Sequence, residues 1–126
     1  MFKWSEPDLA EFFGVVPLFH DDAHSHSFDV QRNGLRLLVT LLDFEGAVCV
    51  SIYRDGLPDP LFTVCRERCS HAHVTDGPHF RRCFEAGTPE HPVTEMGIPP
   101  ILVHGVRVYV EPQFQVELIE PRCEDG

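Results

Sequence analysis

Two cysteines and two histidines fall inside residues 65–74, CRERCSHAHV, and three histidines with two aspartates crowd into residues 20–26, HDDAHSH. Thiolate, imidazole and carboxylate are the side chains that hold zinc, four in a structural site and three plus water in a catalytic one. On an extended segment, side chains two apart share a face. Cys69, His71 and His73 would then point the same way, and His24 and His26 form a second pair. These five are the candidate metal ligands, with Asp21, Asp22, His79, Cys83 and His91 able to complete a shell.

The spacing argues against that chemistry. Cys-x₃-Cys-x-His-x-His matches no zinc module, and neither Cys-x₂-Cys nor His-Glu-x-x-His occurs. Ala72 and Val74 read as the inward residues of their segment, which turns His71 and His73 outward. His24 and His26 share parity with Phe28 and Val30, so they belong at the rim of a core. A cupin-type His-x-His site needs a glutamate four or five residues on, where this chain has Val30 and Gln31 or Gly77 and Pro78. Nucleophilic catalysis fares no better. Gly-x-Ser-x-Gly is absent, as is any glycine-rich phosphate loop. A cysteine–histidine pair would need a third group to orient it, which no spacing here supplies. No catalytic residue is assigned, and no cofactor is expected beyond zinc.

Twenty acidic residues face ten basic ones, a net charge of −10, and Lys3 is the only lysine. That balance repels nucleic-acid phosphate and anionic membrane, and it suits a basic protein partner. The partner surface is expected at Asp21, Asp22, His24 and His26, joined by Glu90, His91 and Glu95 of the stretch 86–100. No apolar run approaches the roughly 20 residues that cross a bilayer. MFKWSEPDLAEFF, with early acids, does not read as a secretory signal. Five cysteines without framework spacing are expected as free thiols in a reducing cytoplasm, Cys49 as a small buried hydrophobe.

The elements that must position these groups are mostly strands. Ser5 as cap, Pro7 and Asp8 in the first turn and Gly14 as stop predict a short helix over 6–13. Alternation over 24–32 and 35–43 around Asn33-Gly34 predicts a hairpin, since both turn residues accept positive φ. Further strands are expected over 47–53, 61–66, 72–75, 80–85, 106–111 and 114–119. Residues 86–100, with four prolines and two glycines, are expected as a loop. The expected fold is mainly β, with α+β as the alternative. It is one domain over 1–126: an antiparallel sandwich or open barrel of six to eight strands (24–119), one N-terminal helix and a polar tail, 121–126.

The first 45 residues carry a resemblance. Trp4, Leu9, Phe13-Gly14, Pro17-Leu18 and His20, followed by an alternating strand and RNGLRL, resemble small bacterial immunity proteins of polymorphic toxin systems. That family places a short helix before an FG-x-x-P-x-L step (here FGVVPLF, with Phe19 in place of the leucine) and a β-rich body. The resemblance implies a non-enzymatic cytoplasmic protein that binds and neutralises a cognate toxin, and it transfers no functional residue. Two other readings compete with it: a zinc-type metal-binding protein or small metal-dependent hydrolase, and a purely structural domain.

Overall fold

A computed structural model describes residues 2–89 and 102–120. One helix, α1 (Glu6–Phe13), precedes nine strands: β1 (Leu18–His20), β2 (Ser25–Arg32), β3 (Leu35–Leu42), β4 (Ala47–Arg54), β5 (Phe62–Arg66), β6 (His71–Asp76), β7 (Arg82–Pro89), β8 (Leu102–Tyr109) and β9 (Gln115–Ile119). They form two antiparallel sheets, β1-β2-β3-β4-β5 and β6-β7-β8-β9, in sequence order throughout. The sheets pack as an open sandwich, the mainly β architecture expected.

The helix forms where capping chemistry places it. The Ser5 hydroxyl accepts from the Asp8 N–H, Pro7 sits in the first turn, and Gly14 closes the helix at φ 74° with its N–H on the Ala10 carbonyl. Leu9 and Phe13 are the two buried residues of α1, and they enter the core beside Phe28 and Phe84. At the β2–β3 hairpin Asn33 and Gly34 take φ of 53° and 78°, a left-handed conformation that glycine, without a Cβ, and asparagine accept more readily than other residues.

Alternation then decides which face is inside. Phe28, Val30, Leu37, Val39, Leu41, Val48 and Val50 of the first sheet meet Ala72, Phe84, Ala86, Val106 and Val108 of the second. Residues 67–70 carry the chain from one sheet to the other. The Cys69 N–H bonds the Gly46 carbonyl and the Ser70 N–H bonds the Gly87 carbonyl, so this crossing is tied to both sheets. Lys3 pairs in parallel with His71 and extends the second sheet by one bridge.

Three expectations are corrected. Ala86–Pro89 is strand rather than loop, because Ala86 and Gly87 pair in register with Val106 and Gly105. Cys49 and Cys65 are not free thiols. They lie opposite one another across β4 and β5, Cα atoms 4.1 Å apart, and form a disulfide. Cys69 does not share a face with His71 and His73. Arg68 takes φ 60°, the strand begins only at His71, and the Cys69 side chain turns into the core.

Candidate protein-interaction surface

Strand register gives the sandwich two ends. Ser25, Leu42 and Ala47 are level at one, and Arg32, Leu35 and Arg54 at the other. At the first end, β1 lies on the edge of its sheet, and a 3-10 turn (Asp21–Ala23) returns the chain through His24 at φ 45°. The Asp43 N–H bonds the His24 carbonyl and fastens this return to the β3–β4 turn.

Five rings and one carboxylate gather here. Asp43 Oδ2 lies 2.9 Å from His26 Nδ1, and Asp43 Oδ1 accepts from Trp4 Nε1 at 3.0 Å. Trp4 stands edge-on to His26, ring centres 4.7 Å apart, and Phe19 lies 4.9 Å from His26 on centres. Phe44, at the tip of the β3–β4 turn, packs on His24 at 4.3 Å. The inner members are half-buried, while Phe44 is 81% and Phe19 52% exposed, and Val16 and Leu18 alongside are 83% and 61% exposed. Asp21, Asp22 and Glu45 are exposed around them. A groove of about 410 Å³, lined by Phe2, Asp43, Phe44, Glu45 and Arg68, adjoins the cluster.

This arrangement suits binding. Exposed rings whose bases are already packed lose little conformational freedom on contact, which is why aromatic side chains dominate interface energetics. Carboxylates around them steer and select cations, and ring faces accept arginine or lysine heads. From Trp4 to Gln31 the chain has six carboxylates and no lysine or arginine.

The structure places the expected site residues in separate settings. Asp21, Asp22, His24 and His26 come together at this end, while Glu90, His91 and Glu95 lie outside the described residues. His71 Nδ1 lies 2.8 Å from the Ser70 hydroxyl. His73 faces Glu85 at 3.6 Å, an ion-pair distance without a hydrogen bond. Among the described residues no three histidine, cysteine or acidic side chains converge to hold a metal ion.

Sequence spacing missed a second charged feature. On the outer face of the second sheet His73, Glu85, Arg107 and Glu117 stand in one cross-strand row. Arg107 Nε donates to Glu85 at 2.6 Å and its Nη1 to Glu117 at 3.1 Å. Glu85 is only 6% exposed. Burial pushes its carboxyl pKa up, but the nearby His73 and the hydrogen-bonded Arg107 outweigh that and leave it below the ordinary value. Burial alone lowers the Arg107 pKa, and the paired carboxylates hold it above the ordinary guanidinium range. Burial, with help from His73 and Lys3, lowers the pKa of His71. The Cys69 and Cys83 thiols are buried and pushed up to about 11, the mark of inert core cysteines. Alternation of Arg107 with Val106 and Val108 gave its face, but not the register that sets it against Glu85.

This sandwich has a solved counterpart. A protein of the contact-dependent growth inhibition toxin–immunity protein complex from Klebsiella pneumoniae 342 shares the fold, with a TM-score of 0.67 over 93% of this chain and 94% of that one. Sequence identity is 14%, so the likeness is one of fold. The resemblance read from the first 45 residues is met at that level along nearly the whole chain. No protein-family model and no curated protein matches this sequence.

Proposed function

We propose that this chain is an immunity-type protein that binds a protein toxin and neutralises it by contact, with no chemistry of its own. The observation that carries this reading is the fold shared, over nearly both full lengths, with a protein of a toxin–immunity complex. The binding surface is the acidic, aromatic end of the sandwich. Phe44 and Phe19 serve as anchors there, Trp4, His26 and Asp43 as their rigid base, and Asp21 and Asp22 as the steering charges. The partner chemistry that fits is a basic surface, since a net charge of −10 and this patch attract cations together.

The test is a binding titration against toxin domains encoded beside this gene, at about 50 mM and 500 mM salt. The expected result is tight binding at low salt that weakens as the charges are screened, together with loss of toxin activity in a reconstituted assay. Absence of binding at low ionic strength to every neighbouring toxin overturns the reading.

A further inference from the structure

The Cys49–Cys65 disulfide sits at the margin of the fold. Val48 and Val50 point into the core, so Cys49 between them faces outward and is half-buried, and Cys65 opposite it is exposed. Cys65 also lines an open groove of about 340 Å³ with Arg66, Glu67, Arg68 and His104, which is room for a small thiol to reach it. Exposed disulfides belong to the labile and regulatory class. The free thiols of Cys69 and Cys83 are buried and do not compete as nucleophiles.

The strand that carries Cys65 is lightly held. β5 is the edge of its sheet and pairs only with β4 among the described residues. None of its five residues is buried, and of its apolar side chains Val64 alone packs against the core. A hydroxyl contact, Ser51 with Thr63 at 3.0 Å, and the Arg66–Glu120 ion pair add to the backbone ladder. Against them, Arg66 Nε is buried with no hydrogen-bond partner among the described residues, which costs the docked strand free energy. The chain on either side is firmly placed. The Leu57 N–H bonds the Arg54 carbonyl, and the Cys69 N–H bonds the Gly46 carbonyl while its side chain enters the core. The stretch between Leu57 and Cys69 is thus bounded by two anchors, and the disulfide is its one covalent tie to β4.

We propose that the Cys49–Cys65 bond is a redox-sensitive clasp: a small thiol opens it from the Cys65 side, and opening releases β5 while the rest of the sandwich stays folded. A thiolate attacks the Cys65 sulfur, forming a mixed disulfide and expelling Cys49 as a thiolate that takes up a proton. A second thiolate attacks the sulfur of the bound small molecule, expelling Cys65 as a thiolate that is protonated in turn, and a small-molecule disulfide leaves. Two electrons and two protons thus pass from two thiols to the protein. β2, β3 and β4 keep their pairing, because their buried side chains hold them whether or not the disulfide is closed. Arg68 lines both this groove and the one beside the aromatic end, so the released stretch runs up to the proposed contact surface. The clasp works with or without a toxin partner.

The test equilibrates the native protein with glutathione buffers, from fully oxidised to fully reduced. Thiols are trapped with iodoacetamide and assigned by peptide mass mapping, and amide exchange in the two end states is followed by NMR. The expected result is that Cys49 and Cys65 become labelled together as the buffer grows more reducing, while Cys69 and Cys83 stay unlabelled. Exchange over Phe62–Arg66 should quicken at least about ten-fold on reduction, and amides of β2, β3, β7 and β8 should change by less than about two-fold. A Cys49→Ser, Cys65→Ser variant should show the same fast stretch in either buffer. A bond that opens only in denaturant overturns the inference. So does exchange that quickens across both sheets or nowhere, and so does a double variant that exchanges over β5 as the oxidised parent does. No toxin enters this experiment, so its outcome is separate from the test of toxin binding.

Discussion

Asp43 and His26 are bonded at 2.9 Å across the end of the sandwich, and the same carboxylate takes the indole N–H of Trp4 with its other oxygen. One side chain from the β3–β4 turn thereby fixes two rings from separate parts of the chain, 17 and 39 residues away in sequence.

Replacing Asp43 with Ala leaves both rings without their partner. The expected cost is about 2 kcal/mol, since both bonds are half-buried and share one carboxylate as acceptor. Urea unfolding followed by the fluorescence of Trp4, the sole tryptophan, measures it directly. A midpoint equal to that of the parent would mean that the carboxylate contributes nothing to the fold.

Phe44→Ala should separate binding from stability. The ring is exposed at a turn tip, so stability should change by less than about 0.5 kcal/mol. Affinity for the proposed toxin partner should fall by about 2 kcal/mol, roughly thirty-fold, as for an aromatic anchor. Calorimetric melting and a binding isotherm on the same sample give both numbers.

Asp21→Asn with Asp22→Asn should act mainly on the rate of encounter. The expected signature is a several-fold slower association with a shallower salt dependence, and little change in dissociation. Stopped-flow mixing at several ionic strengths tests it. A change confined to dissociation would place these carboxylates inside the contact rather than around it.

Glu85→Gln should destabilise by about 2 kcal/mol at neutral pH, because a charge-assisted bond from Arg107 is lost. The Glu85 pKa in the fold lies below its ordinary 4.5, so its contribution is complete above that pH and is lost as pH falls through the folded value. The gap between parent and variant should therefore narrow on acidification from pH 7 to pH 3. Urea midpoints at the two pH values provide the comparison.

The disulfide closes a loop of 16 residues between β4 and β5. On the chain-entropy account, opening it should lower stability by about 3 kcal/mol. Melting with and without reductant, beside a Cys49→Ser, Cys65→Ser variant that reductant should not affect, measures the contribution.

Much of this fold was legible in local chemistry. Ser5, Pro7 and Gly14 bounded α1, and Asn33-Gly34 set the first hairpin, because caps and positive-φ turns depend on neighbouring residues alone. Parity placed Ala72 and Val74 inward and His26 at the rim for the same reason. Pairings that depend on register or on a change of direction were not legible. The Cys49–Cys65 bond requires β4 and β5 to align, and Cys69 left the face of His71 because the backbone turns at Arg68. The acidic, aromatic end was half visible. Asp21, Asp22, His24 and His26 stood out by composition, whereas Trp4, Phe19, Asp43 and Phe44 join them only through tertiary contact.

The order of the strands bears on how that surface comes into being. From β1 to β5 each strand pairs with its neighbour in sequence, so this sheet can assemble progressively from short loops. Trp4 and Lys3 cannot take their places until the β3–β4 turn and β6 exist, and Lys3 waits for a partner 68 positions along the chain, His71. The aromatic end therefore rests on contacts between residues 39 positions apart, Trp4 and Asp43, and is complete only once both ends of that span are in place.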